Sequence, residues 1–449
     1  MSRVSTTTFS LLLLVACAPN TESNGQETSE GTLDPTDAPA DTSGTSKTTD
    51  AADTTDAVDT SGTSGTDDIS DTTDATTTTG IPEPDGLDPT GVPGPYHVGY
   101  TQSEFDDPLT EDRVLPAHIW YPAAAFDEAA ITSYTILDAG VLVLELPSEF
   151  VQRDVPASTE GPFPLVVFSH GYGSIAVQSL SLCETLASHG FIVVAADHTG
   201  NTTTDDQNGT SVDYDTAAAD RPRDVQTIID SIEAHNLDPS SLLFGIVEDD
   251  QVGVTGHSFG GYTAMAAAGG FQTSGAVADP RVKAIAPIAP ATDLLSEQDI
   301  APVDVPTLFL AGTLDENTPI DVHVAPPFEA MTAQPRYRVD VEGANHFHFA
   351  NVCDIAQALI DLGLDPKIWP SIGAGQLVSI YEVTCSAEAF PIDEARRLQN
   401  KYVVGFFRAY LASQSDYAAL LTPDHADSCE PLVEVWVEGG PPTKSAPCE

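Results

Sequence analysis

Gly256-His257-Ser258-Phe259-Gly260 sets a serine midway between two glycines, behind the apolar Val252-Gly253-Val254 and ahead of a run of helix formers from Tyr262 to Ala268. That order reads as strand, tight turn and helix, with Ser258 at the apex. Side chains at 256 and 260 would collide in such a turn. Glycines avoid the clash, and the helix start points N–H groups at the serine. Chance could supply the five residues, so the flanks carry the reading. A serine nucleophile also needs a base, a group that orients the base, and donors for a developing oxyanion. His346, in Gly343-Ala-Asn-His-Phe-His348, follows the strand-like run Tyr337–Val341 and is the candidate base. His348 is its alternative. Asp315, on the turn after Thr307–Ala311, is the candidate acid, because a carboxylate there can accept from the far imidazole nitrogen. Asp293 stays open as a runner-up, and Glu316 reads as solvent-facing. Leu314-Asp-Glu-Asn317 also suits an ordinary turn.

The oxyanion donors expected are the backbone N–H of Phe259 and that of Tyr172, in Ser169-His-Gly-Tyr-Gly173, with the Tyr172 ring bordering an acyl pocket. His170 and His257 read as structural residues bonded to nearby backbone, and His323 as a surface or helix residue. The pair His346 and His348 lacks a third ligand at metal spacing, so no metal is expected. The chemistry calls for no cofactor.

These residues must be held by strands, and the chain supplies them. Pro164–Ser169, Phe191–Ala196, Gln251–Thr255, Val282–Ile288, Thr307–Ala311 and Tyr337–Val341 are short strand-like runs, mostly apolar. Helical stretches at 176–188, 222–235, 354–364 and 393–412 alternate with or follow them. This predicts an α/β fold with a mostly parallel sheet flanked by helices. Ligands of such sheets gather at the carboxyl ends of strands, where every candidate lies. His118-Ile-Trp-Tyr-Pro122 alternates, as an antiparallel opening strand would. Residues 125–160 read as an insertion, with a place over the site open to them, and the Pro-rich end from about 413 as a disulfide-pinned tail.

The ends and the charge speak of location. Arg3 and the apolar Phe9–Ala16 form a signal peptide (1–16) whose core is too short to span a bilayer. Leu14-Val-Ala-Cys17 resembles the bacterial lipobox. That resemblance implies cleavage before Cys17 and its acylation, and so a lipid anchor in the cell envelope, at the outer membrane or cell surface; an ordinary secretory signal is the other reading. Residues 17–95 form an acidic tether. From Ala18 it has no aromatic residue, 17 acids and one base (Lys47), and cannot bury enough apolar surface to offset the entropy of ordering. From Tyr96 onward 51 acids face 14 bases, which argues against nucleic acid as a partner. No long apolar run follows the signal. With Cys17 acylated, five cysteines remain for an oxidising compartment. Cys183 reads as a buried core thiol. Cys353 is paired with Cys385 and Cys429 with Cys448, other connectivities remaining open.

His170-Gly-Tyr-Gly173, Gly256-His-Ser-Phe-Gly-Gly261, Leu314-Asp-Glu-Asn-Thr-Pro319 and Gly343-Ala-Asn-His-Phe347, in this order, resemble the α/β-hydrolase superfamily. Within it, 96–412 is similar to the platelet-activating-factor acetylhydrolase and dienelactone-hydrolase-like esterases and to the cutinase-like polyester hydrolases. The resemblance implies a Ser258–His346–Asp315 triad, Tyr172 and Phe259 as oxyanion donors, and a small-molecule or polymeric ester as substrate. Departures accompany it. Eukaryotic acetylhydrolases carry their acid after the preceding strand, where this chain has Ala289-Pro-Ala-Thr292, and dienelactone hydrolases use cysteine where Ser258 stands. The 125–160 insertion is longer than cutinase-like enzymes need. A catalytically silent binding module and a peptidase or amidase using the same triad are the competing readings.

Overall fold

A computed structural model describes residues 87, 89–126, 131–138, 143–372, 374–440 and 448. The signal peptide, Cys17 and nearly all of the tether lie outside the described residues. The tether's last residues, however, pack on the domain before Tyr96: the Thr90 hydroxyl donates to Lys401 O (2.9 Å), and the Gly94 N–H donates to Ser188 Oγ (2.7 Å).

The chain runs β1 (His97–Asp106), β2 (Val114–Ala123), β3 (Ile131–Asp138), β4 (Val143–Arg153), β5 (Phe163–Ser169), α1 (Leu180–Ser188), β6 (Ile192–Ala196), α2 (Thr203–Asn208), α3 (Tyr214–Leu237), β7 (Val247–His257) and α4 (Phe259–Gly269). Then follow β8 (Val282–Ile288), α5 (Glu297–Ile300), β9 (Thr307–Gly312), α6 (Ile320–His323), α7 (Ala325–Ala330), β10 (Arg336–Val341), α8 (Val352–Asp361), α9 (Gly375–Thr384), α10 (Ile392–Tyr410), α11 (Pro423–Cys429) and β11 (Val433–Glu438).

Among the described residues these strands form one sheet, ordered β11-β10-β9-β8-β7-β5-β6-β2-β1-β4-β3. The block from β10 to β6 is parallel, and its inner strands β5, β6 and β9 are near-continuous apolar runs because helices cover both faces. β5, β6 and β9 are buried at every residue. β2 runs antiparallel to β6, as its alternating pattern implies. The two apolar layers separate cleanly: Phe168, Val193, Leu186 and Phe407 pack on one face, Val167, Val194, Ile228 and Tyr262 on the other.

The 125–160 segment adds β3 and β4 to the sheet edge beyond β1. With α1, α8 and α10, β4 lines a cavity of about 680 Å³ whose walls do not include Ser258, Asp315 or His346. The C-terminal end supplies α11 and β11, which pairs antiparallel with β10 and extends the opposite edge. Buried Lys401 anchors that end through Glu430 (2.7 Å). Cys353–Cys385 and Cys429–Cys448 are disulfides, and Cys183 is a buried free thiol. Among the described residues no helix is long and apolar enough to cross a membrane.

Candidate active site

Ser258 joins β7 to α4 with φ +58° and ψ −117°, a conformation that side chains other than glycine rarely adopt. Its carbonyl accepts from the N–H groups of Gly261 (2.9 Å) and Ala291 (3.0 Å), and its N–H donates to Ile288 O (2.9 Å), so β8 braces the turn. A Cβ on Gly260 would lie 1.8 Å from the Ser169 carbonyl oxygen, and one on Gly256 would lie 2.5 Å from the same atom. The glycines therefore spare the turn more than their mutual clash. They let it rest on the end of β5, where the Ser169–Gly173 loop begins.

His346 opens a 3-10 turn, His346–Phe349, just after β10. Gly343, at φ +82°, turns the chain into it, and the Asn345 side chain accepts from Phe347 N–H (3.0 Å). The imidazole Nδ1–H donates to Asp315 Oδ2 at 2.7 Å, with both side chains buried. The lone pair is thereby left on Nε2. Asp315 also accepts from the N–H groups of Asn317 (2.9 Å) and Thr318 (2.7 Å) and from the Thr318 hydroxyl (2.9 Å). Burial alone would raise this carboxyl, but the His346 hydrogen bond and charge, with Thr318, outweigh it and hold it below the usual range.

The alternatives fall elsewhere. Asp293 and Glu316 are exposed. His348 is engaged by Asn345 and by Phe390 O (3.0 Å). His323 sits at the end of α6, buried instead of at the surface, where its Nδ1 accepts from Thr292 N–H (3.1 Å). His170 donates from Nδ1 to Gly171 O (2.7 Å), and His257 from Nε2 to His346 O (2.8 Å). Burial pushes both imidazoles well below the ordinary histidine range, helped by the Arg221 charge at His170 and by His346 at His257, so both are neutral.

Residues that spacing did not reveal complete the site. Gln178 accepts from Gly171 N–H (2.7 Å) and donates to His257 Nδ1 (2.6 Å). One hydrogen-bonded chain therefore runs from the Ser169–Gly173 loop through Gln178 and His257 to the backbone of His346. Tyr172 is half-buried, its ring 5.3 Å from Tyr214 and edge-on to Phe259 at 5.5 Å. Beneath the loop lies a second Ser–His–Asp array. Ser169 Oγ is 2.9 Å from His198 Nε2, and His198 Nδ1 is 2.8 Å from Asp224 Oδ2. Ser169 ends an ordinary strand, is wholly buried and accepts from Arg221 Nη1 (3.1 Å), so this array lacks the turn and helix start that mark Ser258. Beside Asp315 and His346 a cavity of about 780 Å³ opens, walled in part by Leu314, Phe347, Val383 and Phe390.

A parallel sheet whose strand β7 passes through a strained serine into α4, with an Asp–His pair on the loops after β9 and β10, defines an α/β-hydrolase. The chain belongs to the PET hydrolase-like family, which residues 122–361 match, more than half of its length. Similar curated proteins include "Cutinase 2" of Thermobifida cellulosilytica, 28% identical over 183 residues that make up 40% of this chain and 60% of that protein. "Cutinase cut1" of Thermobifida fusca is also 28% identical over 183 residues, 40% of this chain and 49% of that one. The match spans about half to three fifths of the length of these relatives.

Proposed function

We propose that this protein is a serine hydrolase of carboxylic esters, with Ser258 as nucleophile, His346 as base and Asp315 as the acid that orients it. The 2.7 Å His346–Asp315 bond, on loops that follow neighbouring strands of the sheet bearing the Ser258 turn, carries this reading. Asp315 holds the proton on Nδ1, so Nε2 takes the Ser258 proton as Oγ attacks the ester carbonyl. The N–H groups of Phe259 and Tyr172 receive the oxyanion. Collapse expels the alcohol, which His346 protonates, and water activated by the same histidine hydrolyses the acyl-enzyme. The cutinase names of the relatives support a carboxylic ester, whether small or polymeric. The lipobox-like Leu14–Cys17 and the acidic tether support export and anchoring through acylated Cys17.

A fluorophosphonate probe and p-nitrophenyl acetate test the enzyme. The wild-type chain labels and turns over, and Ser258→Ala abolishes both; a wild type that does neither ends the proposal. Cys17→Ser moves the protein from the membrane to the soluble fraction if the anchor exists, and an unchanged membrane fraction rejects it.

A further inference from the structure

We infer that Arg221 is a positioning residue for the oxyanion site, aiming the Tyr172 N–H and bracing the Phe259 ring from beneath. This rests on the serine-hydrolase reading above. The Arg221 side chain on α3 is wholly buried, and its fork reaches the loop after β5 at several points. Nη1 donates to His170 O (2.6 Å) and Ser169 Oγ (3.1 Å), and Nη2 donates to Gly171 O (3.1 Å) and Asn201 Oδ1 (2.6 Å). Peptide planarity turns that contact into direction. In a trans peptide the C=O and the following N–H point opposite ways, so fixing Gly171 O fixes the heading of the Tyr172 N–H. The preceding peptide is pinned at both ends, its carbonyl by Arg221 and its Gly171 N–H by Gln178 (2.7 Å). The same guanidinium lies 5.1 Å from the Phe259 ring centroid, the residue that carries the other donor.

The partners argue for this task over generic stabilisation. Among the described residues no ion pair joins Arg221 to a carboxylate; nearby Asp224 is taken by Arg113 (2.6 Å) and His198. A buried cation satisfied by neutral loop oxygens is costly to keep. It also polarises the peptide whose carbonyl it grips and so strengthens the N–H at the other end. The Ser169–His198–Asp224 array belongs to the same scaffold, since Ser169 Oγ accepts from the Arg221 fork.

Arg221→Lys keeps the charge and loses the fork. With p-nitrophenyl acetate, kcat falls on the order of tenfold to a hundredfold while KM stays within about twofold, as for an interaction made in the transition state. Phenylboronic acid, which forms a tetrahedral serine adduct, loses affinity by a similar factor, whereas the product-like benzoate binds as before. A cooperatively melting variant with wild-type kcat overturns the inference, as does equal weakening of both inhibitors, which a merely structural role would give. Should Arg221→Lys fail to fold, Asn201→Ala decides. It removes the acceptor that orients Nη2, and a selective loss of kcat and boronate affinity supports the assignment while unchanged values reject it. A wild type inert to ester and fluorophosphonate defeats the serine-hydrolase reading itself; an active wild type beside an unaffected Arg221→Lys defeats only the positioning role.

Discussion

At the scale of single residues, the candidate site was legible wherever its chemistry follows from local order along the chain. Ser258, Asp315 and His346 each follow a strand, and their neighbours announce the turn each occupies. Gln178 and Arg221 were not legible in this way, because their partners lie far off in sequence: Gln178 reaches His257, and Arg221 reaches Ser169 and Asn201. The packing of α3 on one face of the sheet brings Arg221 to its partners, and the stretch before α1, on the other face, brings Gln178 to His257. Asp315→Asn keeps the shape of the side chain but lets the amide donate to Nδ1, favouring the wrong tautomer, so kcat for p-nitrophenyl acetate falls by roughly 10³–10⁴. Asp293→Asn, on an exposed residue, leaves kcat unchanged; the reverse pattern would move the acid to Asp293. Gly260→Ala drives a Cβ against the Ser169 carbonyl, so it costs both activity and melting temperature, and a variant with wild-type values of each would refute the contact.

At the scale of elements, the parallel core was readable because strands covered on both faces become continuous apolar runs. The edges were harder. β3, β4 and β11 are half-exposed, so their sequences carry less of the apolar signal, and their places depend on partners in distant parts of the chain. The disulfide between Cys353 and Cys385 shows what such long-range links do for the site. It joins the start of α8 to the residue after α9, and α9 ends in Val383 and Thr384, whose oxygens accept from the Asn345 amide beside His346. Replacing both cysteines by serine frees a loop of 32 residues and costs roughly 3–4 kcal/mol by loop entropy. It also loosens the turn that holds His346. The double variant therefore melts earlier and loses kcat, and reduction of the wild type with dithiothreitol, which also opens Cys429–Cys448, lowers both at least as far. An unchanged kcat after verified reduction would show that the His346 turn is held without the bridge.

At the scale of the whole molecule, the acidic surface and the buried histidines respond to pH in different windows. Carboxyl groups in model peptides titrate near pH 4. The histidines act earlier. His118 is lowered to about 4, chiefly by burial with a contribution from the Arg153 charge. Burial likewise lowers His170, His198, His257, His323 and His348. Each takes up a proton near pH 6.5 when the chain unfolds but resists it while folded. Their contribution is therefore present above pH 6.5 and is lost as pH falls toward the folded values, at up to about 1.4 kcal/mol per pH unit for each group. Buried acids act in the opposite sense. Burial pushes Glu184 up to about 7 and Asp197 up to about 6, so the folded chain takes up those protons first and gains stability as pH falls through the same range. Asp220, Asp224, Asp340 and Glu248 are raised by burial too, but less than these two, so between pH 7.5 and 5.5 the six histidines outweigh the acids. The melting temperature falls steadily from pH 7.5 to 5.5, before the surface carboxylates begin to titrate, and the fall persists in high salt because buried groups are poorly screened. A melting temperature that is flat or rising across that interval would mean that the folded protein admits protons to these histidines.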